Sequence, residues 1–374
     1  MHRLLDYQAN CIEMVLHSHK TPSRVWGGTV TPRFVQFQLT PWPGIKLNRL
    51  KNLSEEIALS LGSPSCRVYR QGGVVNVEVP RSTSHTVHLL PLCERLAHIP
   101  PHSAVLGLDE RGVPILLRLP SPEVAHVLIA GTTGSGKTAL ARTMIASLAL
   151  HNRQGEVQLV LIDPKGQGFA PFQGLPHLLG PIVDDPQEVV AVLHRLVQEM
   201  ENRDRCKVNQ PRIVIFIDEL ADLMLVGGKE AETALTRLIQ RGRGAGLHLV
   251  ACTQKPTAAV IGSLVKSNFP VRLVGSVTSP EDAKVASGLA GTGAERLMGR
   301  GDFLLVCKGQ WERFQAAYIS GEEIVEVVRG LQEGGRQGSR RTRRWLTEGT
   351  GMKKKQAFLP RLKEKLTRPL KLVK

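Results

Sequence analysis

The stretch "HVLIAGTTGSGKT", residues 126–138, places a glycine-rich loop directly behind a short apolar run. Glycines let the backbone curl so that successive N–H groups point inward, and such a nest binds phosphate when a helix begins behind it. The stretch fits the pattern G-x-x-x-x-G-K-[ST] as Gly131, Gly136, Lys137 and Thr138. Because "HVLIA" predicts a buried strand and "TALARTMIASLALH" a helix, the context favours a nucleotide site over a chance glycine-rich turn.

The whole loop supplies the candidate ATP-binding residues. In this pattern the lysine reaches the β- and γ-phosphates, and the hydroxyl that follows it binds Mg²⁺. The candidates are Gly131, Thr132, Thr133, Gly134, Ser135, Gly136, Lys137 and Thr138.

A second motif, "RIVIFIDELADLM" (212–224), supplies two acids behind an apolar strand. Asp218 follows the end of that strand, where ligands bind in open parallel sheets. We expect Asp218 to hold Mg²⁺ through water and Glu219 to orient and polarise the attacking water. An Asp-Glu pair after a strand can also simply cap the next helix. The position of Asp218 and Glu219 after the glycine-rich loop in the sequence favours the catalytic interpretation.

The strand "HLVACTQ" (248–254) ends in Gln254, whose amide can hydrogen-bond the attacking water or the γ-phosphate. The turn before it, "QRGRGAGLH" (240–248), carries Arg241 and Arg243. Arginines on such a turn are usually solvated. In a ring-forming ATPase, one of them could instead reach a neighbour's γ-phosphate.

Composition excludes several classes of protein. A length of 374 residues predicts two or three domains, and 42% hydrophobic residues exclude a disordered chain. No apolar run approaches the ~20 residues of a membrane span, and the N-terminus is too polar for a secretory signal. We therefore expect a cytoplasmic protein.

Metal and disulfide frameworks are not indicated. The six cysteines contain no C-x-x-C pair, so the sequence predicts neither a disulfide scaffold nor a zinc ribbon. Three tyrosines and four tryptophans argue against single-strand binding by base stacking. A cluster of histidines around one cysteine matches no usual metal spacing: His85, His88, Cys93, His98 and His102.

The sequence predicts the α/β fold class and divides the chain into four segments. Residues 1–21 predict an amphipathic helix, with Leu4, Leu5, Ile12, Val15 and Leu16 on one face. Residues 22–118 predict a small α+β domain with one helical stretch, "NRLKNLSEEIALSLG". In residues 119–330 strands alternate with helices, which indicates a parallel sheet covered on both faces. Its predicted strands are Val127–Ala130, Val157–Ile162, Ile213–Ile217, Leu247–Thr253, Val271–Gly275 and Asp302–Val306.

Residues 331–374 form a basic C-terminal arm. The chain has a net charge of +16, and the arm alone carries 14 lysines and arginines against three acids. Such a segment is typical of a flexible arm for phosphate backbones or other acidic surfaces. A solvated extension without a function is the alternative.

Beyond these motifs the chain resembles the FtsK/SpoIIIE family of double-stranded DNA translocases. The resemblance rests on an ordered series of motifs that covers about residues 25–320. The segment "GGTVTPRFVQFQLTPWPGIKLNRLKNLSEEIALSL" (27–61) is similar to the family's α-domain, which precedes its RecA-like domain. The later motifs are "LIDPK" (161–165), "LPHLLGPIVDD" (175–185), "LVQEMENR" (196–203), "IDELADLM" (217–224), "RGAGLHLVACTQKP" (243–256) and "GAERLMGRGDFLL" (293–305).

The resemblance implies a RecA-like P-loop NTPase domain that assembles into a hexameric ring, threads duplex DNA and hydrolyses ATP under DNA stimulation. It favours Arg243 as the finger supplied to a neighbour. It also implies that Lys255, Lys266 and Lys284 face the DNA in the pore. An ammonium group is a point charge that grips phosphate without reading bases, as a motor indifferent to sequence requires.

The chain departs from the family pattern in several places. "TQKP" (253–256) stands where the family usually has T-Q-R-P, and the following "TAAVIGSLVK" lacks the family's aspartate. We expect neither a membrane domain before the motor nor a winged helix after it, which favours a relative acting on plasmid, phage or accessory DNA. Two alternatives remain open: an ATPase of a protein-secretion or conjugative-transfer system, and a ring that binds DNA under ATP control without moving along it.

Overall fold

The apolar runs of the sequence form the strands of two sheets, and each sheet belongs to a separate unit of the chain. The computed structural model describes residues 2–31, 34–71, 73–81, 86–254, 269–334 and 371–373. One unit comprises Met1–Thr86 with Glu110–Gly112, and the other comprises Val87–Asp109 with Val113–Lys374.

The first unit is a four-stranded antiparallel sheet with helices on one face, in the strand order β1-β2-β4-β3. Successive side chains of a strand point to opposite faces, so Val35, Phe37 and Leu39 of one strand face the same core as Ile12 and Leu16. Its elements are α1 (His2–Ser18), β1 (Ser23–Val30), β2 (Phe34–Pro41), α2 (Leu47–Asn52), α3 (Ser54–Ser60), β3 (Arg67–Gln71) and β4 (Val74–Pro80).

Two predictions for this unit differ in detail from the structure. Of the predicted apolar face of α1, Ile12 and Leu16 are fully buried, whereas Leu4 is 60% exposed. The stretch expected to be one helix is two short helices, which meet at Leu53.

The second unit contains a ten-stranded mixed sheet in the order β14-β6-β5-β13-β12-β11-β7-β10-β9-β8. The five strands from β11 to β8 run parallel to one another, and β12 runs antiparallel to both of its neighbours, β11 and β13. Its strands are β5 (Ser103–Asp109), β6 (Pro114–Arg118), β7 (Val127–Ala130), β8 (Val157–Ile162), β9 (Arg212–Ile217), β10 (Leu247–Thr253), β11 (Val271–Val274), β12 (Asp302–Cys307), β13 (Gln310–Ala316) and β14 (Lys371–Val373). Its helices are α4 (Leu89–Glu94), α5 (Lys137–His151), α6 (Pro186–Cys206), α7 (Leu220–Arg241), α8 (Pro280–Ser287) and α9 (Gly321–Gly334).

Helices cover both faces of the parallel strands, as the alternation of the sequence predicts. In β10, Leu249 and Ala251 point into one core with residues of α6, α7 and α8, while Val250 and Cys252 point into the other with residues of α5. The fully buried strands therefore carry apolar side chains on both faces, which is the usual pattern of a covered parallel sheet.

The structure departs from the predicted division of the chain at residue 118. Strands β5 and β6 pair within the large sheet, so the units divide at Thr86 and not at 118. The last predicted strand, Asp302–Val306, is present but antiparallel to β11, and a tight hairpin joins it to β13.

The segment predicted as a basic arm begins inside helix α9, which extends to Gly334. Strand β14, near the chain's end, pairs in parallel with β6. The residues of the arm between these two elements lie outside the described residues.

Candidate nucleotide site

The glycine-rich loop connects β7 to α5 at the carboxyl edge of the parallel strands. Gly136 has φ 102° and ψ 21°, in the left-handed region that glycine favours, and a Cβ there would lie 2.9 Å from Gly301 N. The first N–H groups of α5 have no acceptor within the helix, because the helix begins at Lys137. The loop therefore offers a phosphate group a cradle of backbone donors.

Two distant segments of the chain hold the loop in place. The amide of Thr132 donates to Ser276 O at 2.8 Å, beyond the end of β11. The amides of Arg300 and Gly301 donate to Gly134 O and Ser135 O, at 2.9 and 2.8 Å. Sequence reasoning missed these supporting residues, because their role depends on strand order and not on a local pattern.

Lys137 is the buried cation of the loop. The residue is 6% exposed, and its ammonium donates to Thr132 O at 2.9 Å. Burial lowers its pKa, and the nearby charges of Glu219 and Asp218 act in the opposite direction. An ammonium ion held by one carbonyl is poised to bind an anion that enters the loop.

Asp218 lies beside the loop, as the sequence predicts, because β9 ends next to it. Thr138 Oγ1 donates to Asp218 Oδ1 at 2.8 Å, which joins the two residues predicted to bind Mg²⁺. Burial raises the pKa of Asp218, and the hydrogen bond from Thr138 opposes that shift. Hydroxyl and carboxylate oxygens are the ligand type that Mg²⁺ prefers, so this pair fits the ion.

Glu219 is bonded to the end of β10. The residue is only 4% exposed, and its carboxylate accepts from Gln254 N at 3.2 and 3.1 Å and from Ala221 N at 3.3 Å. Burial raises its pKa. Glu219 thus also caps α7, the alternative that its sequence position leaves open. Thr133 Oγ1 donates to Gln254 Oε1 at 2.9 Å and closes the network back to the loop.

A loop that the site-residue predictions did not include completes the carboxyl edge. This 163–169 loop follows β8, and it begins with the fully buried Asp163 beside Asp218. Arg142 of α5 anchors it by donating from Nη2 to Gln167 O at 2.9 Å. An acid after a buried strand, in "LIDPK", is the same signal that identified Asp218, and it could have identified Asp163.

Arg243 lies at the opposite edge of the sheet from the glycine-rich loop. It is exposed on the turn before β10. Burial lowers the pKa of His126, which directly precedes β7, and the charge of Arg243 acts in the same direction. The length of β10, about 20 Å at ~3.3 Å per residue, separates this turn from the end of the strand at Thr253. The structure therefore does not bring Arg243 to the site of its own subunit.

Of the predicted DNA-contacting lysines, only Lys284 lies among the described residues. Lys284 is exposed on α8, which packs against β11 and the turn Ala294–Arg296. Lys255 and Lys266 lie outside the described residues.

Two classes of site are absent from the part of the chain that the structure describes. No three histidine, cysteine or acidic side chains there are grouped to hold a metal ion by themselves. No helix there has the length and apolarity to cross a membrane. A magnesium ion that keeps its waters and binds phosphate oxygens needs no such group of protein ligands.

Comparison with protein families matches both units of the chain. Residues 2–81 match the FtsK alpha domain. Residues 100–210 and 204–258 match the FtsK/SpoIIIE family.

Curated relatives carry DNA translocase names. The chain is 35% identical over 353 residues to the DNA translocase SftA of Bacillus subtilis, covering 87% of this chain and 37% of that protein. It is 34% identical over 359 residues to the DNA translocase FtsK of Sporosarcina ureae, covering 87% and 46%. The chain thus spans less than half the length of these relatives.

Solved structures share the fold at low sequence identity. The pCW3 conjugation coupling protein TcpA, in its monomer form with ATPγS, has a TM-score of 0.60 and 18% identity, covering 86% of this chain and 99% of that one. The cytoplasmic domain of the type VII secretion ATPase EccC of Thermomonospora curvata has a TM-score of 0.59 and 23% identity, covering 66% and 34%.

Gly168 offers a test of the position of Asp218. A Cβ at Gly168 would lie 2.7 Å from Asp218 Oδ2, so Gly168→Ala must displace the carboxylate from Thr138. Displacement of a catalytic group by about 1 Å can cost about 100-fold in rate, and we expect a loss of that order in ATP turnover. The measurement is steady-state ATP hydrolysis, with thermal unfolding as a check of folding.

Gly155→Ala is the matched control, because a Cβ at Gly155 meets nothing within 4 Å. Its turnover should equal that of the wild type. Wild-type turnover in Gly168→Ala would mean that Asp218 does not act from the observed position.

Proposed function

The chain belongs to the FtsK/SpoIIIE family, and we propose that it hydrolyses ATP to drive movement along double-stranded DNA. The observation that supports the proposal best is the hydrogen-bonded network at the carboxyl edge. It joins the glycine-rich loop to Asp218 through Thr138, and to Glu219 through Thr133 and Gln254. The DNA translocase names of relatives at 34–35% identity support the choice of DNA as the track.

Each residue of the network has a role in hydrolysis. The loop and the Lys137 ammonium hold the β- and γ-phosphates, where the positive charge offsets the charge that develops in the transition state. Glu219 orients and polarises the attacking water, and Gln254 contacts that water or the γ-phosphate. The Glu219 carboxylate has acceptor capacity beyond its bonds from Gln254 N and Ala221 N, so it can also accept from the water.

Thr138 and Asp218 are the residues that would hold Mg²⁺, Thr138 through its hydroxyl and Asp218 through a bound water. When bound, the ion neutralises charge on the β- and γ-phosphates. The short bond between Thr138 and Asp218 keeps both oxygens at the same point of the edge.

We propose that the active form is a ring, with six subunits as the resemblance implies, in which Arg243 acts on a neighbour's site. The support is geometric, because Arg243 and the loop lie at opposite edges of one sheet. A subunit in a head-to-tail ring can present the amino edge of its sheet to the carboxyl edge of the next.

We propose that lysines grip the DNA in the pore, and that the basic arm captures it first. Lys255 directly follows Gln254 in the sequence, so a pore contact at Lys255 would connect to the nucleotide network through one peptide bond. Contacts of this kind bind phosphates and are indifferent to base sequence.

The likeness to the conjugation coupling protein and the secretion ATPase concerns the fold alone, at 18% and 23% identity. No contact among the described residues favours a protein substrate, so we advance no second function. The experiment below nevertheless separates a DNA motor from a protein-transport ATPase and from a DNA-binding ring without movement.

The proposal predicts ATP hydrolysis that duplex DNA stimulates, together with displacement of the third strand from a triplex. Lys137→Ala should abolish hydrolysis and weaken nucleotide binding. Glu219→Gln should retain binding and lose about 10²–10⁴-fold in turnover, the usual contribution of a general base. Hydrolysis is measured with duplex DNA, with single-stranded DNA of equal length and without DNA.

Three other results would each contradict a different part of the proposal. ATP hydrolysis that ignores duplex DNA would contradict a DNA motor, and stimulation without triplex displacement would contradict translocation. Full turnover in Glu219→Gln would remove that residue from the catalytic step.

Arg243 is tested by mixing subunits. Arg243→Ala alone should lose about 10³-fold in turnover, as expected for an arginine finger, and the Arg241→Ala control should not. Arg241 lies on the same turn but pairs with Asp204 at 2.8 Å. Mixed rings of Arg243→Ala and Glu219→Gln subunits should regain activity at the interfaces formed by two intact halves. The absence of any recovery in verified mixed rings would exclude a finger supplied by the neighbour.

A further inference from the structure

Asp163 and Asp218 lie side by side at the carboxyl edge because of strand register. Strands β8 and β9 are parallel, with Ile162 opposite Ile217 in the last aligned pair. The residue directly after each strand is an aspartate, Asp163 after β8 and Asp218 after β9. The amide of Asp218 donates to Ile162 O at 3.1 Å, which extends the pairing to this point.

One carboxylate oxygen of Asp163 has no hydrogen-bond donor among the described residues. The residue is fully buried, and its Oδ2 accepts from Phe169 N at 3.0 Å. Its Oδ1 is also buried, and no described residue donates to it. A buried carboxylate oxygen without a partner is costly, so such an atom usually indicates a missing water, ion or ligand.

Two described cations close to this pair of acids, Lys137 and Lys165, already have partners. Lys137 donates to Thr132 O, and Lys165 forms an ion pair with Asp222 at 2.9 Å. Burial raises the pKa of the Asp218 carboxyl, and the charge of Asp163 acts in the same direction. The pair therefore concentrates negative charge beside the hydroxyl of Thr138.

We propose that Asp163 is a positioning residue for the nucleotide-bound magnesium ion, with Oδ1 accepting a hydrogen bond from one of the ion's water ligands. Magnesium keeps several waters when it binds nucleotide, and carboxylates beyond the direct ligands orient such waters. This inference rests on the proposed ATP site, and adds to it a residue that follows a fourth strand, β8.

The surroundings keep Asp163 in a fixed position. The bond from Phe169 N closes the 163–169 loop upon it, and Arg142 ties that loop to α5 by donating to Gln167 O and Gly168 O. Since α5 begins with Lys137 and Thr138, the acid and the proposed ion ligand share one rigid support.

A purely structural role is the competing explanation, in which Asp163 serves only to accept from Phe169 N. Asp163→Asn separates the two roles. The amide oxygen of asparagine can still accept that bond, while the negative charge is lost. A role in closing the loop survives the change, and a role toward a hydrated cation does not.

The experiment measures binding of a fluorescent ADP analogue to the full chain, in a Mg²⁺ titration and in EDTA. For Asp163→Asn we expect the Mg²⁺ concentration at half effect to rise about 10-fold or more, as for other changes outside the direct ligands. Affinity in EDTA should be equal or tighter, because a charge that repels the polyphosphate is gone. The apo protein should unfold at an equal or higher temperature, because a buried unpaired charge is removed.

Asp222→Asn is the matched control. Asp222 is a partly exposed acid of α7 whose charge Lys165 neutralises, and its loss changes the net charge equally. It should leave the Mg²⁺ requirement within about twofold, since solvent and salt screen exposed charges.

Three results would overturn the proposal: an unchanged Mg²⁺ requirement in Asp163→Asn, equal weakening of binding with Mg²⁺ and in EDTA, or failure of this variant to fold. The last two would assign Asp163 a structural role. A wild-type chain that binds no nucleotide would contradict the proposed ATPase function itself, which is a different outcome.

Discussion

The hydrogen bond from Thr138 to Asp218 connects residues of the site that follow two different strands. Thr138 belongs to the helix after β7, and Asp218 follows β9, two places away across β10. The bond can form only because parallel strands end at one edge, and the helices on both faces of the sheet keep that edge in register. The 163–169 loop and the turn at Arg300 and Gly301 are then arranged around it.

At the same edge, Gln254 connects the proposed nucleotide site to the segment that follows β10. Gln254 is bonded through its backbone to Glu219 and through its side chain to Thr133. A γ-phosphate that accepts a hydrogen bond from Thr133, or a water that donates to Glu219, alters the bonds of Gln254. In the proposed motor, Lys255 is the next residue, so this contact is the shortest covalent path from hydrolysis to DNA.

Much of this edge could be predicted from local sequence. Glycines, Lys137 and Thr138 at fixed spacing behind an apolar run indicate a phosphate loop by their chemistry alone, and Asp218 follows from the rule that ligands bind where parallel strands end. Asp163 satisfies the same rule. Only the structure shows its unpaired buried oxygen, the observation that makes it more than a loop residue.

Other features depend on tertiary contacts that no local pattern contains. Strand β13 carries polar residues such as Glu312 and Arg313, and Arg313 is buried because it pairs with Asp302 of β12 at 2.7 Å. The sequence analysis assigns residues 22–118 to the small domain, yet strands β5 and β6 extend the large sheet. Arg243 lies at the amino edge because it precedes β10, and this position makes a neighbouring subunit necessary for its proposed role.

We propose that the carboxyl edge of these parallel strands is an ATP site. The most direct measurement is an experimental structure of the chain with Mg²⁺ and a non-hydrolysable ATP analogue. We predict that the triphosphate lies within residues 131–138, that Lys137 Nζ leaves Thr132 O for a phosphate oxygen, and that Thr138 Oγ1 turns from Asp218 toward the metal. An analogue bound elsewhere, with Lys137 still bonded to Thr132 O, would contradict the account.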